Sequence, residues 1–252
     1  MGKRKKKTIW IVGAVLAVAA VALVIWLTCG HRKFGQTTIQ PDERLIRPAD
    51  TTFVVNGVAF KMVGVRGGVF RGEGQREAAE LPNYYIGETE VTRELWCAVK
   101  NGDSEGLGEG AQMPMTEVSL DDCFDFLERL DSVTGADFYI PPYEYWLYAA
   151  YSGKSPQQGS APDEVAWFAG NAGGEVHPVK TKRADGLGLY DMVGNAAEWT
   201  ISGPDPLFIV AGGSYEDDMA DCNVDKYGIN HADVCLGNIG FRIMFLQDAV
   251  EK

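Results

Sequence analysis

Histidine is scarce in this chain: three of 252 residues, with His31, His177 and His231 far apart. No Ser-His-Asp order and no zinc-ligand spacing can be built from them, which removes the common hydrolytic and zinc chemistries. Internal repeats and low-complexity tracts are also lacking, so no solenoid is indicated. Acids are missing from residues 1–33, which carry seven Lys/Arg. The remainder sets 16 Lys/Arg against all 35 Asp/Glu, a formal net charge of −19. An acidic domain of this size repels nucleic acid and anionic membrane surfaces. Its carboxylates suit a hard cation, although solvation alone accounts for most of them. Thirty glycines, ten tyrosines and six tryptophans indicate a loop-rich domain with aromatic packing and not a helical bundle.

From Ile9 to Leu27 no side chain is charged or strongly polar, and with Thr8 the run reaches 20 residues. As a helix it would match a hydrocarbon core of about 30 Å. Trp10 and Trp26 stand near its ends, where indoles favour the interface, and Lys3–Lys7 would hold the amino terminus in the cytoplasm. The reading is a cytoplasmic tail over 1–7, a membrane helix or signal anchor over 8–28, a polar tether over 29–50 and a domain over 51–248, outside the cytoplasm in the periplasm or at the cell surface. A cleaved signal peptide, or lipidation at Cys29, leads to the same side of the membrane.

Within the domain, Thr52–Val55 and Val58–Val63 read as strands joined by Asn56-Gly57, a two-residue hairpin signal. Tyr84-Tyr85-Ile86 reads as a strand before a helix capped by Thr92, with Leu95, Trp96 and Val99 inward. Ser119 with Asp122 forms a capping-box variant, followed by Cys123, Phe126, Leu127 and Leu130 at helical spacing. A third helix is expected from Pro141-Pro142 to Gly153. Beyond it periodicity fades, and Phe241–Phe245 is expected as a closing strand beside the first strands. Coil of that length needs an ion, disulfides or aromatic packing to hold it.

Six segments, in order, resemble one family. They are Phe60–Val63 with Gly67–Phe70, Tyr84–Thr92, Pro114 with Val118-Ser119 and Asp122, Gly186–Trp199, Gly212–Tyr215, and Gly240-Phe241-Arg242. The resemblance is to the formylglycine-generating enzyme, or sulfatase-modifying factor, family. It implies an α+β fold related to C-type lectins, with few short helices and strands and much ordered coil.

In that family, two cysteines after the Gly-Gly-Ser turn bind copper(I), three and eight residues past the serine. Soft thiolates suit that ion. Here Ser214 is followed at those distances by Asp217 and Cys222. One thiolate is absent, so copper binding is not expected; Cys222 and Ser214 are the remaining catalytic candidates. The family's Arg-Leu-Pro-Thr-Glu-Ala-Glu-Trp-Glu appears as Tyr139–Leu147, with Pro141 and Trp146 kept and the charged positions changed. The resemblance further implies a structural calcium held by the Asp191 side chain, the Gly194 and Ala196 carbonyls and the Glu198 carboxylate. Alternatively, Asp191 and Glu198 only cap that turn.

Four cysteines lie beyond the membrane run: Cys97, Cys123, Cys222 and Cys235. Three pairings are open, with Cys222–Cys235 plus Cys97–Cys123 the first choice and free thiols on helix faces the alternative for the second pair. The expected function is a non-catalytic protein-binding or structural module at the cell surface. Its loops near 102–112 and 153–163, with Tyr143 and Tyr145, would meet a cell-surface or periplasmic protein. The rivals are an oxidoreductase centred on Cys222 and an accessory part of a secretion or gliding apparatus.

Overall fold

Strand alternation explains the architecture. In β3 (Val58–Val65), Phe60 and Met62 point to one hydrophobic cluster while Val63 and Val65 point to another. β6 (Tyr84–Gly87) repeats the pattern, with Tyr85 on the first side and Tyr84 and Ile86 on the second. So does β11 (Met244–Leu246), where Phe245 opposes Met244 and Leu246. These strands, with β2 (Thr51–Val55), form a sheet of order β11-β6-β3-β2 that is covered on both faces. The computed structural model describes residues 37–72, 77–153, 162–201 and 207–247.

The first cluster packs α1 (Arg93–Asn101) and α2 (Leu120–Thr134) against one face. Trp96 of α1 stacks flat on Phe126 of α2 at 5.1 Å, and Phe126 meets Phe241 edge-on at 5.4 Å. The second cluster packs α3 (Tyr143–Ser152) against the other face, with Trp146 and Tyr148 fully buried. A short α4 (Pro162–Val165) follows. The caps fall where expected: the Thr92 hydroxyl accepts from Leu95 N–H at 3.2 Å, and Ser119 and Asp122 form a reciprocal capping box. The Asn56-Gly57 hairpin is also present, with both residues at positive φ (47° and 84°) as a tight turn between twisted strands requires.

Three expectations need correction. Residues 38–50 are part of the domain and not of a tether. β1 (Thr38–Pro41) pairs antiparallel with β4 (Gly68–Arg71), which in turn pairs with β5 (Ala79–Leu81). The Asp50 carboxylate accepts from Gly64 N–H at 3.2 Å, and the Ile46 carbonyl accepts from Asn83 at 2.9 Å. Backbone pairing and side-chain-to-backbone bonds leave no apolar period, which is why the segment read as polar linker.

Secondly, the region after Gly153 is not merely coil. It contains β7 (Ala197–Thr200), β8 (Leu207–Ala211) and β9 (Tyr227–His231), which join β10 (Ile239–Phe241) in a sheet of order β10-β7-β8-β9. Thirdly, the expected closing strand is two strands. β10 pairs parallel with β7, and β11 pairs antiparallel with β6, while Arg242 sits between them with its side chain turned into the interior. The membrane run, the basic tail and Cys29 lie outside the described residues. Among the described residues no helix is long and apolar enough to cross a membrane.

Ser119→Ala removes the hydroxyl arm of the capping box, which accepts from Asp122 N–H at 3.1 Å, and keeps the backbone arm from Ser119 N–H to the Asp122 carboxylate. It should lower stability by about 1 kcal/mol, read as an earlier urea midpoint with an unchanged transition slope.

Candidate functional site

The segment from Asp191 to Glu198 is a tight double turn leading into β7. Asp191, Gly194 and Asn195 have φ of 54°, 75° and 59°. Gly194 has a second constraint: a Cβ there would lie 2.2 Å from the Trp167 carbonyl oxygen. That approach is what lets Asn195 N–H donate to the same carbonyl at 2.8 Å, while Gly194 N–H donates to Gly212 at 3.1 Å. The Asn195 side chain is wholly buried and acts as a connector. Its Oδ1 accepts from His177 N–H at 2.9 Å, and its Nδ2 donates to the His177 carbonyl at 3.2 Å and to Glu90 Oε1 at 3.0 Å.

Glu198 and Arg242 form a buried ion pair, 1% and 0% exposed at the side chain. Arg242 Nη2 donates to Glu198 Oε1 at 2.7 Å, and Nε donates to Oε2 at 2.9 Å, a bidentate match of fork and carboxylate. The remaining donors reach the Gly87 carbonyl (2.7 Å) and the Tyr190 carbonyl (2.8 Å), while Trp146 Nε1 donates to Glu198 Oε2 at 2.7 Å. The pair therefore ties β7, the segment between β10 and β11, the end of β6 and α3 together. Sequence reasoning singled out Glu198 but neither Glu90 nor Arg242 as members of this cluster. The Glu-Val-Thr and Gly-Phe-Arg motifs that contain them were the available signal.

The calcium set can be tested against this geometry. Both Glu198 oxygens accept from Arg242, and Oε2 accepts from Trp146 as well, so Glu198 has little left to offer a cation. Asp191 differs: Oδ2 accepts from Lys180 N–H at 3.0 Å, whereas Oδ1 is buried with no hydrogen-bond partner. Glu90 Oε2 is buried and unpartnered too. Among the described residues no three His, Cys, Asp or Glu converge as a metal-ligating group. Asp191 and Glu90 thus each keep one buried carboxylate oxygen without a hydrogen-bond partner, whereas both Glu198 oxygens are engaged by Arg242.

Burial pushes the Asp191 carboxyl up to about 6, against the Lys180 N–H and the Arg242 charge, which lower it. Burial, then the neighbouring Asp191 charge, raises Glu90 well above the carboxylate range. Both shifts favour the protonated acid, so ionising either group inside the fold costs free energy.

At the second candidate position, the Gly-Gly-Ser turn depends on Gly213 at φ 73°, where a Cβ would meet the Asp221 carbonyl at 2.9 Å and Cys222 Cα at 3.0 Å. Asp217 Oδ2 accepts from Ser214 N–H (2.8 Å) and from the Ser214 hydroxyl (2.6 Å), closing the turn on itself. Cys222 is buried, and its thiol donates to the Ser214 carbonyl at 3.3 Å. Burial, then the charges of Asp217 and Asp221, push that thiol up to about 12. Ser214 and Cys222 are thus adjacent, but the carboxylate that replaces the first cysteine is used as a clamp on Ser214.

No disulfide joins the four described cysteines, so neither Cys222–Cys235 nor Cys97–Cys123 is bonded in the structure. Tyr143 and Tyr145 are half-buried and pack edge-on against Tyr227 and Tyr84.

The fold and the Asp191–Glu198 turn define a mixed α+β domain locked by one buried ion pair. Residues 35–245 match the sulfatase-modifying factor enzyme 1-like domain, and the chain belongs to that family. It is 26% identical over 200 residues to the chaperone protein LppX of Paenibacillus barcinonensis, covering 56% of this chain and 71% of the relative. Treponema denticola variable protein 1 superposes with a TM-score of 0.67 at 23% identity, covering 79% of this chain and 99% of the other. PvdO from Pseudomonas aeruginosa gives 0.64 at 17%, covering 78% and 98%, and CarF gives 0.60 at 21%, covering 74% and 98%. These structural likenesses speak to the fold alone.

Glu198→Gln leaves Arg242 buried without its counter-charge and should cost about 3–5 kcal/mol, measured by chemical denaturation. In chelator, Asp191→Asn should act oppositely as pH rises. The unfolded carboxyl ionises near 3.8 and the folded one near 6, so wild type loses stability relative to the variant across that window. The difference should reach at most ~3 kcal/mol above pH 6, and parallel stability curves for the two proteins would exclude a raised Asp191.

Proposed function

We propose that this chain is an extracytoplasmic, membrane-held member of the sulfatase-modifying family that lacks copper-dependent oxidase chemistry and acts as a protein-binding module. The observation that carries the reading is the Ser214–Asp217–Cys222 arrangement. A copper(I) oxidase site needs two thiolates, whereas here a carboxylate clamps Ser214 and the one remaining thiol is buried and held neutral. The same burial disfavours a thiol oxidase centred on Cys222, since the nucleophile is the thiolate. A relative carrying the name chaperone protein supports a protein partner in preference to a small substrate. The basic cluster and apolar run at the amino terminus support the membrane-held placement.

Calcium belongs to this reading as a structural ion. Asp191 and Glu90 would supply carboxylate oxygens and the Gly194 and Ala196 carbonyls neutral ones, with waters completing the coordination. Its charge would offset the two buried acids.

Anaerobic titration with copper(I) should show no stoichiometric binding. One bound equivalent, lost in Cys222→Ala, would restore the oxidase reading. A partner protein should co-purify with the full chain from detergent-solubilised membranes and be lost on substituting the 102–107 loop. Added calcium should raise the melting temperature of wild type by several degrees and leave Asp191→Asn and Glu90→Gln unmoved; equal shifts in all three would remove calcium from the site.

A further inference from the structure

Two cysteines outside the Ser214 region are brought to one place by the fold. Cys123 lies on the first turns of α2 and is fully buried. The segment 232–236 crosses that end of the helix. Leu120 N–H donates to the Ala232 carbonyl at 2.9 Å, and Glu117 N–H donates to the Leu236 carbonyl at 3.0 Å. Ala232 and Val234 pack against the same hydrophobic cluster that contains Cys123. Cys235, between these anchor points, is exposed, with its thiol 3.8 Å from the Asp233 carbonyl. Burial, Asp122 and the neighbouring Cys235 hold the Cys123 thiol well above its ordinary range. Neither sulfur has a part in the turn around Ser214, where Cys222 is engaged with a backbone carbonyl.

We propose that Cys123 and Cys235 are a redox pair that closes to a disulfide and clamps the 232–236 segment onto α2. The reaction needs a disulfide oxidant, either a small molecule such as oxidised glutathione or a dithiol–disulfide protein. The exposed Cys235 thiolate attacks the oxidant's S–S bond, forming a mixed disulfide and releasing one thiolate. Cys123, deprotonated, then attacks the Cys235 sulfur and expels the second thiolate. Two protein thiols thereby lose two electrons and two protons, and one oxidant disulfide becomes two thiols. The first step is fast because Cys235 is accessible. The second is slow because Cys123 is buried and seldom ionised. The closed loop spans more than a hundred residues, the length class in which a cross-link restricts the unfolded chain most. The clamped segment leads directly into β10 and Arg242, so oxidation would also fasten the buried ion pair's carrier.

The test is oxidation of the full chain in a glutathione buffer followed by peptide mass mapping without reductant. The expected product is a Cys123–Cys235 cross-link, preceded by glutathione on Cys235. The oxidised protein should melt several degrees higher, and reductant should reverse the gain. Cys123→Ser should stop at the mixed disulfide, and Cys97→Ser should leave the cross-link intact. If Cys123→Ser fails to fold, Cys235→Ser serves instead: it should abolish both the cross-link and the thermal gain. Stable glutathionylation of Cys235 in wild type without a cross-link, or a cross-link from Cys235 to Cys97 or Cys222, would overturn the proposal.

Discussion

The buried Arg242–Glu198 pair is the interaction on which the carboxyl-terminal half of the domain is organised. Two charges in an apolar interior are tolerated only when every donor and acceptor is met. Here that demand is satisfied by Gly87, Tyr190 and Trp146, which come from separate parts of the chain. The pair therefore works less as a source of net stability than as a specification of arrangement. Any packing that moves β7 from β10, or α3 from either, strands a charge away from water. Asn195 extends the same logic by neutral means, joining Glu90 to the backbone at His177.

Legibility in the sequence followed the physics of each element. The helices over 93–101 and 120–134 were readable because caps and apolar stripes are local signals, and Thr92, Ser119 and Gly135 stand where such signals place them. The Asn56-Gly57 turn was readable for the same reason. β1, β7, β8 and β9 were not, since their partners are distant and their short runs have no distinctive period. Phe241–Phe245 was read as one strand because a buried arginine breaks an apolar run without leaving a turn residue. At the candidate site the motif located Asp191 and Glu198, but it could not tell that a guanidinium occupies Glu198. That fact depends on residues 44 positions apart meeting inside the fold.

The Gly-Gly-Ser turn joins a constrained backbone to a carboxylate that closes it. The backbone at Gly213 still approaches Asp221 and Cys222 closely, so the turn persists. Asp217 then satisfies Ser214 through two short hydrogen bonds, and the nearby thiol is left in a neutral, buried setting. The glycines hold the backbone of this turn, while Asp217 fixes the hydrogen bonding of Ser214.

The parallel pairing of β7 with β10 has a consequence for how the molecule is made. Residue 197 meets residue 239 across a crossover of about forty residues that must itself fold into β8 and β9. Until the ribosome has released the last strands, Glu198 has no guanidinium, β6 lacks β11 along one edge, and the nascent chain carries a half-built sheet. Such non-local closure is slow and leaves strand edges open to other polypeptides. Closure of the domain therefore waits on its last strands.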